Sequence, residues 1–387
     1  MRCATRWHGP SEVHAEPVEN ARALKICYLG WGYHVHLERW ASYFAKLGHE
    51  VTVLSVRGTG KYAQGVRQYR VGFEAGSIRW RRLHLRWLLW RIRPDIVHVH
   101  WAHFASLVEG IWNGPLIVTV WGSDIYRLDE FSPADVGLLR RGLRAATVIT
   151  CDSLDQVRAI RDLTGDPSSR VEVVQWGIDT TLFRRQNGAN AFARELGIIG
   201  RPVVFSARGF LPVYNLETVV AAFARVRAEV PAAVLVMKSY GGDREYRARV
   251  EAEIGALGLD DAVRIVDAVP YERMPELHRL AAVMVSVPFS DGTPMALLEA
   301  MACGSVPIVS DLPSLREWIV DGENGYLVDA RDVDGLAERL IRVLREPETR
   351  KRVAERNADL VRTRASQQIN MGRMNDICRE LARQQSA

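Results

Sequence analysis

Asp291 and Glu299 are two acids separated by seven residues, at the point where an apolar run ends in a polar turn, SDGTP, and passes into a helical pattern, MALLEAMACG. With that helix opening near Pro294, Glu299 lies about one turn inside it, roughly 6 Å along the axis. A helix start offers unpaired amides and the positive end of a dipole, which favours a phosphate there. An ionised carboxylate only accepts hydrogen bonds, so Glu299 suits a vicinal diol such as ribose. Asp291 suits other hydroxyls in the same way. The spacing predicts a pocket that grips hydroxyl groups on both sides of linked phosphates.

A departing diphosphate also needs positive charge, from a metal or from fixed cations. The one Asp-x-Asp, Asp332 to Asp334, is far along the chain and precedes another helical pattern, so it is read as helix-start chemistry and no metal is expected. Arg208 and Lys238 each close an apolar run and are the candidate cations. Gly292, Thr293 and Met295 belong to the same turn and helix start. Gly30 and Gly32 allow close backbone approach in the first loop and are read as further donor-binding residues. His98 and His100 alternate with apolar residues along a strand pattern, and His100 is the candidate to line the cleft, with a packed core histidine as the plain alternative. Trp121 and Asp124 follow another strand at its ligand-facing edge and are the candidates for the acceptor side, with a packing tryptophan as the plain alternative.

These residues are positioned by short β-rich runs alternating with helical stretches, the pattern of parallel sheets covered on both faces. KICYLG, EVTVLSV, DIVHVH, LIVTVWG, ATVITC and VEVVQWG form one series. After the irregular stretch 184–202 a second begins with PVVFSAR, AVLVMK, VRIVDAV, VMVSVPFS and VPIVSD. The expected organisation is a loose tail over 1–22, α/β domains over 23–190 and 200–366, and a helix over 367–387 able to return to the first domain. Ligands of open parallel sheets sit beyond the carboxyl ends of the strands, so two facing domains share one cleft.

The residues now resemble a family. The acidic pair followed by EAMACGSVP, together with LGHEVTVLS, RPDIVHVH, WGID with Phe183, and DGENGYLVD, is similar to the retaining glycosyltransferases of family 4, which have the two-domain fold called GT-B. The resemblance covers most of the chain. It implies two Rossmann-like domains facing across a cleft and transfer of a hexosyl-type group from a nucleotide-diphosphate sugar to a hydroxyl acceptor, with retention and without metal or cofactor. Glu299 then holds the ribose, Asp291 the transferred sugar and Arg208 the diphosphate. The acceptor is a glycan, a lipid-linked molecule or a small metabolite. Departures are Asp291 where the family usually has Glu, Tyr214 where a basic residue follows the arginine, Pro294 in the turn and Trp121 where relatives often carry His. The alternatives are a nucleotide-sugar epimerase of similar fold and a non-catalytic partner subunit.

Composition sets outer bounds. Hydrophobic residues at 48% and charged residues at 25% are those of a packed globular chain, and a net charge of +5 without a recognisable motif argues against nucleic-acid binding. Five scattered cysteines without a Cys-x-x-Cys pair fit a reducing, cytoplasmic setting. No apolar run reaches the roughly 18 residues of a membrane span. The segment RWRRLHLRWLLWRIRP, 79–94, leads into a buried strand and is read first as a helix with a core stripe and solvated arginines. Its basic, Trp-rich make-up leaves peripheral contact with the inner membrane face as the second reading.

Overall fold

A computed structural model describes residues 22–72, 77–186, 190–239 and 241–386. The tail expected over 1–22 therefore lies outside the described residues except for Arg22, which pairs with Asp95 at 3.0 Å. Two sheets organise the chain. The first contains β1 (Lys25–Trp31), β2 (Glu50–Arg57), β3 (Arg67–Arg70), β4 (Ile96–His100), β5 (Leu116–Thr119), β6 (Val148–Cys151) and β7 (Val171–Val173), in the order β3-β2-β1-β4-β5-β6-β7. The second contains β8 (Val203–Ser206), β9 (Val234–Lys238), β10 (Val263–Val266), β11 (Val283–Ser286), β12 (Val306–Ser310) and β13 (Tyr326–Val328), in the order β10-β9-β8-β11-β12-β13. Every strand pairing is parallel.

Each sheet thus has one strand more than its apolar runs announce. β3 is RQYR, a largely exposed edge strand, and such an edge needs no apolar face. β13 lies within DGENGYLVD, where the turn residues dominate the pattern. By contrast β4 and β12 are buried along their whole length, as helices on both sides of a parallel sheet require.

Strand order reverses between β1 and β4 in the first sheet and between β8 and β11 in the second. Crevices open at such switch points. The loops after β8 and β11 carry Arg208 and Asp291, so the second crevice coincides with the predicted chemistry.

The chain crosses between the sheets twice, side by side. Ile178 donates its amide to the Ala365 carbonyl at 2.9 Å, and Gln367 donates to the Ile178 carbonyl at 2.8 Å. Gly177, at φ +68°, must be glycine here, because a Cβ would come 2.6 Å from the Gln367 Cα. The final helix, Gln367–Ser386, then lays Met371, Met374, Ile377 and Leu381 against Ile26, Trp40, Phe44 and Val51 of the first sheet's layer. Burial of each such side chain is worth on the order of 2 kcal/mol, so this helix is an integral wall of the first core. Cys27, Cys151, Cys303 and Cys378 are free and buried. Among the described residues no helix is long and apolar enough to cross a membrane.

Candidate active site

Apolar β11 ends at Ser286 and its continuation, VPFSDGTP, is tied down at three points. Phe289 donates to the Val213 carbonyl at 2.9 Å, Ser310 Oγ to the Pro288 carbonyl at 2.6 Å, and Ser314 Oγ to the Asp291 carbonyl at 2.7 Å. The helix Met295–Cys303 follows, with Pro294 at its cap position and no side chain capping its start. Its first amides are therefore left to whatever enters the space in front.

That space is a cavity of about 890 Å³ between the two sheets' loop edges, lined by Arg208, Lys238, Asp291, Gly292, Thr293, Met295 and Glu299 among others. Its size falls within the range of roughly 300–1,000 Å³ usual for small-molecule sites. Both acids face the same cavity, at opposite ends of the turn and first helical turn.

Arg208 is buried, forms an ion pair with Asp291, and lies over the Tyr214 ring with its guanidinium carbon 4.1 Å from the ring centre. Its Nε has no partner among the described atoms. Tyr214 therefore replaces a second cation with a face that steers the first. Burial pushes the Asp291 carboxyl upward more strongly than Arg208 draws it down. Glu299 is in hydrogen-bond contact with His278 Nε2 at 3.2 Å, and His278 is fully buried. Burial lowers the Lys238 ammonium, while the charge of Glu299 works in the other direction. The four charged groups thus form two opposed pairs around the open helix start.

The turn also meets the first domain. Asp152, just after β6, accepts the Thr293 amide at 3.0 Å, and Thr293 Oγ1 donates to the Asp152 carbonyl at 2.8 Å while accepting from Trp318 Nε1 at 3.1 Å. Burial raises the Asp152 carboxyl well above its usual range, the Thr293 amide opposes that, and Asp291 adds to it. Thr293 consequently joins the domains with the groups that the sequence assigns to a phosphate. Gly292 is needed for the same approach, since a Cβ would stand 2.7 Å from an Asp152 carboxylate oxygen.

Asp332 and Asp334 serve a helix start, as their position suggests. Asp332 accepts the Gly335 amide at 2.8 Å, and Asp334 pairs with Arg225. Among the described residues no group of three or more His, Cys, Asp or Glu is arranged to hold a metal ion.

Two family models match successive parts of the chain: "Glycosyl transferase 4-like" over residues 25–153 and "Glycosyl transferases group 1" over residues 190–359. The chain is a GT-B glycosyltransferase of the family 4 type. The N-acetyl-alpha-D-glucosaminyl L-malate synthase of Bacillus anthracis is 26% identical over 275 residues, 69% of this chain and 70% of that protein. The D-inositol 3-phosphate glycosyltransferase of Thermomonospora curvata is 29% identical over 282 residues, 67% and 65%. The chain spans 57% of the corresponding Acidothermus cellulolyticus protein, at 27% identity. In fold the chain is similar to sucrose-phosphate synthase from Thermosynechococcus elongatus, with a TM-score of 0.80, 17% identity and coverage of 92% and 99%. It is equally similar to Anabaena HepE in complex with UDP, at 0.79, 14%, 92% and 100%. These matches favour neither the epimerase nor the idle-subunit alternative.

In this glycosyltransferase the first domain's half of the cavity is aromatic. Trp121 lines it, 4.2 Å between ring centres from His34 and 5.7 Å from Trp176. Four other candidates do not reach the cavity. His100 is fully buried behind Trp121 and Trp176, next to Trp40 and Tyr28, and packs as a core ring. Asp124 is fully buried too; it accepts the amides of Ala102, Trp121 and Gly122 at 2.9 to 3.0 Å and so shapes the loop that presents Trp121. Burial lifts its carboxyl to about 6. Gly30 lets β1 pass Leu37 and His100, and Gly32 passes Ser55, where a Cβ would come 2.5 Å from Oγ.

Three cavity residues carried no sequence signal strong enough to name them. Asp152 was detectable in principle, as an acid just past the end of a buried strand. Arg39 donates to the Gly177 carbonyl at 3.0 Å and lies 5.0 Å over the Tyr271 ring, so both act across the domain boundary, which no local pattern encodes.

Proposed function

We propose that the enzyme transfers a hexosyl-type group from a nucleotide-diphosphate sugar to a hydroxyl acceptor, with retention of anomeric configuration and without a bound metal. Supporting this is the convergence of Arg208, Lys238, Asp291 and Glu299 on one uncapped helix start. Glu299 takes the ribose diol, Asp291 the hydroxyls of the transferred sugar, and the amides around Met295 the phosphate oxygens. Arg208 exchanges Asp291 for the diphosphate as its charge partner when donor enters, and it stabilises the charge that grows on the leaving group. Lys238 supplies the second cation that the Tyr214 position lacks. Anabaena HepE, of the same fold, binds UDP and UDP-glucose, which makes uridine sugars the first donors to try.

The acceptor enters from the Trp121 side, and its hydroxyl is brought against the sugar carbon by positioning more than by a strong base. The test is turnover of a nucleotide-sugar panel with the released nucleotide and the product anomer both measured, in the presence of chelator. Nucleotide release with an α product from an α donor, unaffected by chelator, is expected. Arg208→Ala should lower turnover by about 100-fold or more while the chain stays folded. An inverted product, loss of activity with chelator, or an unaltered Arg208→Ala rate would overturn the corresponding part of this function.

A further inference from the structure

The helix Ile78–Ile92 has two apolar faces. Leu85, Leu88 and Leu89 are buried and fasten it to the first domain's core. Trp80, Leu83, Trp87 and Trp90 are spaced by three, four and three residues, which at about 100° per residue gathers them into one stripe on the opposite side of the helix. They are 70%, 56%, 46% and 67% exposed. Three exposed tryptophans in line on a helix whose other side already holds it in place serve no folding purpose.

We propose that this stripe docks on an anionic membrane surface. The helix contains no acidic residue. Arg79 and Arg86 are exposed along one flank of the stripe, and Arg91 lies on the other, its guanidinium carbon 5.4 Å from the Trp87 ring centre. Arg82 is turned inward and donates to the carbonyls of Ser106 and Glu109, so the outward basic residues are those beside the stripe. An apolar ridge edged with arginine and free of acids matches the interface of an anionic bilayer, where indole rings sit at headgroup depth and guanidinium groups meet phosphates. A second copy of the chain fits badly, since a two-fold pairing through the stripe would set these arginines against their equivalents.

The helix is rigidly seated, so docking requires no refolding and sets the first domain's orientation to the bilayer. The proposal is independent of the donor chemistry.

The test is sedimentation of the full chain with vesicles of phosphatidylcholine alone and with equimolar phosphatidylcholine and phosphatidylglycerol. Retention on the anionic vesicles only, weakened by salt and accompanied by a blue shift of tryptophan emission, is the expected result. Trp80→Ser/Trp87→Ser/Trp90→Ser and, separately, Arg79→Glu/Arg86→Glu should each lower partitioning at least about tenfold. Both sets are on the surface, and an unchanged melting temperature and nucleotide affinity show that the fold persists. Partitioning equal to wild type in the triple variant, no binding of the wild type, or a stripe-dependent dimer by light scattering would overturn it.

Discussion

Arg208 is held between a carboxylate and a ring, and each neighbour has a separate effect. Asp291 neutralises it within the cavity, and Tyr214 fixes the plane of its guanidinium. Tyr214→Ala should lower kcat/KM for donor by about 3- to 30-fold, the worth of a partly desolvated cation–π contact, whereas Tyr214→Phe should retain nearly all of it. Steady-state kinetics of the pair decides, because equal losses would implicate the hydroxyl and not the ring face. The acids were legible in the sequence because a strand-turn-helix junction fixes where residues at positions 291 and 299 must lie. Gly30, Gly32 and His100 show the limit of that logic. Glycine permits approach by a ligand or by a neighbouring element, and a histidine on a buried strand points to cavity or core with the same local pattern. Only the packed neighbours Leu37, Ser55 and Trp176 decide it.

At the scale of elements, the two domains exchange carboxylates. Asp152 of the first caps the turn that opens the helix Met295–Cys303, and Glu317 of the second accepts the amides of Leu154 and Asp155, both at 3.0 Å, at the start of the helix Leu154–Thr164. Glu317 thus completes the start of the helix Leu154–Thr164, whereas Asp152 holds only the turn before the helix Met295–Cys303 and leaves that helix's own first amides open. Glu317→Ala should cost about 1–2 kcal/mol, a cap's worth, and lower the melting temperature by roughly 2–8 °C. It should also raise the donor KM, as closure becomes less favourable; a calorimetric scan with donor titration measures both. None of this reciprocity is written locally, since it depends on the angle at which two separately legible sheets meet. The helix Ile78–Ile92 was legible as a helix with a core stripe, which its three leucines form, yet its outward tryptophans could be placed only once the core face was known.

For the whole molecule, the first domain encloses a set of neutral histidines. Burial brings His34 down to about 4 and His98 to about 3, and it pushes His36 and His100 well below the ordinary value. Bases with depressed folded values take up protons on unfolding, so their stabilising effect is present above about 6.5 and is lost as pH falls from there toward 4. Each contributes up to about 1.4 kcal/mol per pH unit in that window. Asp124, raised to about 6, acts in the opposite sense between about 4 and 6, as do the raised carboxyls of Asp152 and Asp291, but the four histidines outnumber these three. The melting temperature should therefore drop between pH 7 and 5, and His100→Phe, whose ring nitrogens have no partner, should flatten the profile without lowering the neutral-pH value.

All of these scales meet in the cavity where Glu299 stands one turn inside an uncapped helix, and calorimetric titration of UDP and UDP-glucose into wild type and Glu299→Ala reaches that point most directly. A well-folded Glu299→Ala chain that binds both ligands at least about tenfold more weakly is the predicted result, the loss of a charged hydrogen-bonding partner. Unchanged affinity for a nucleotide sugar that the wild type binds would contradict it.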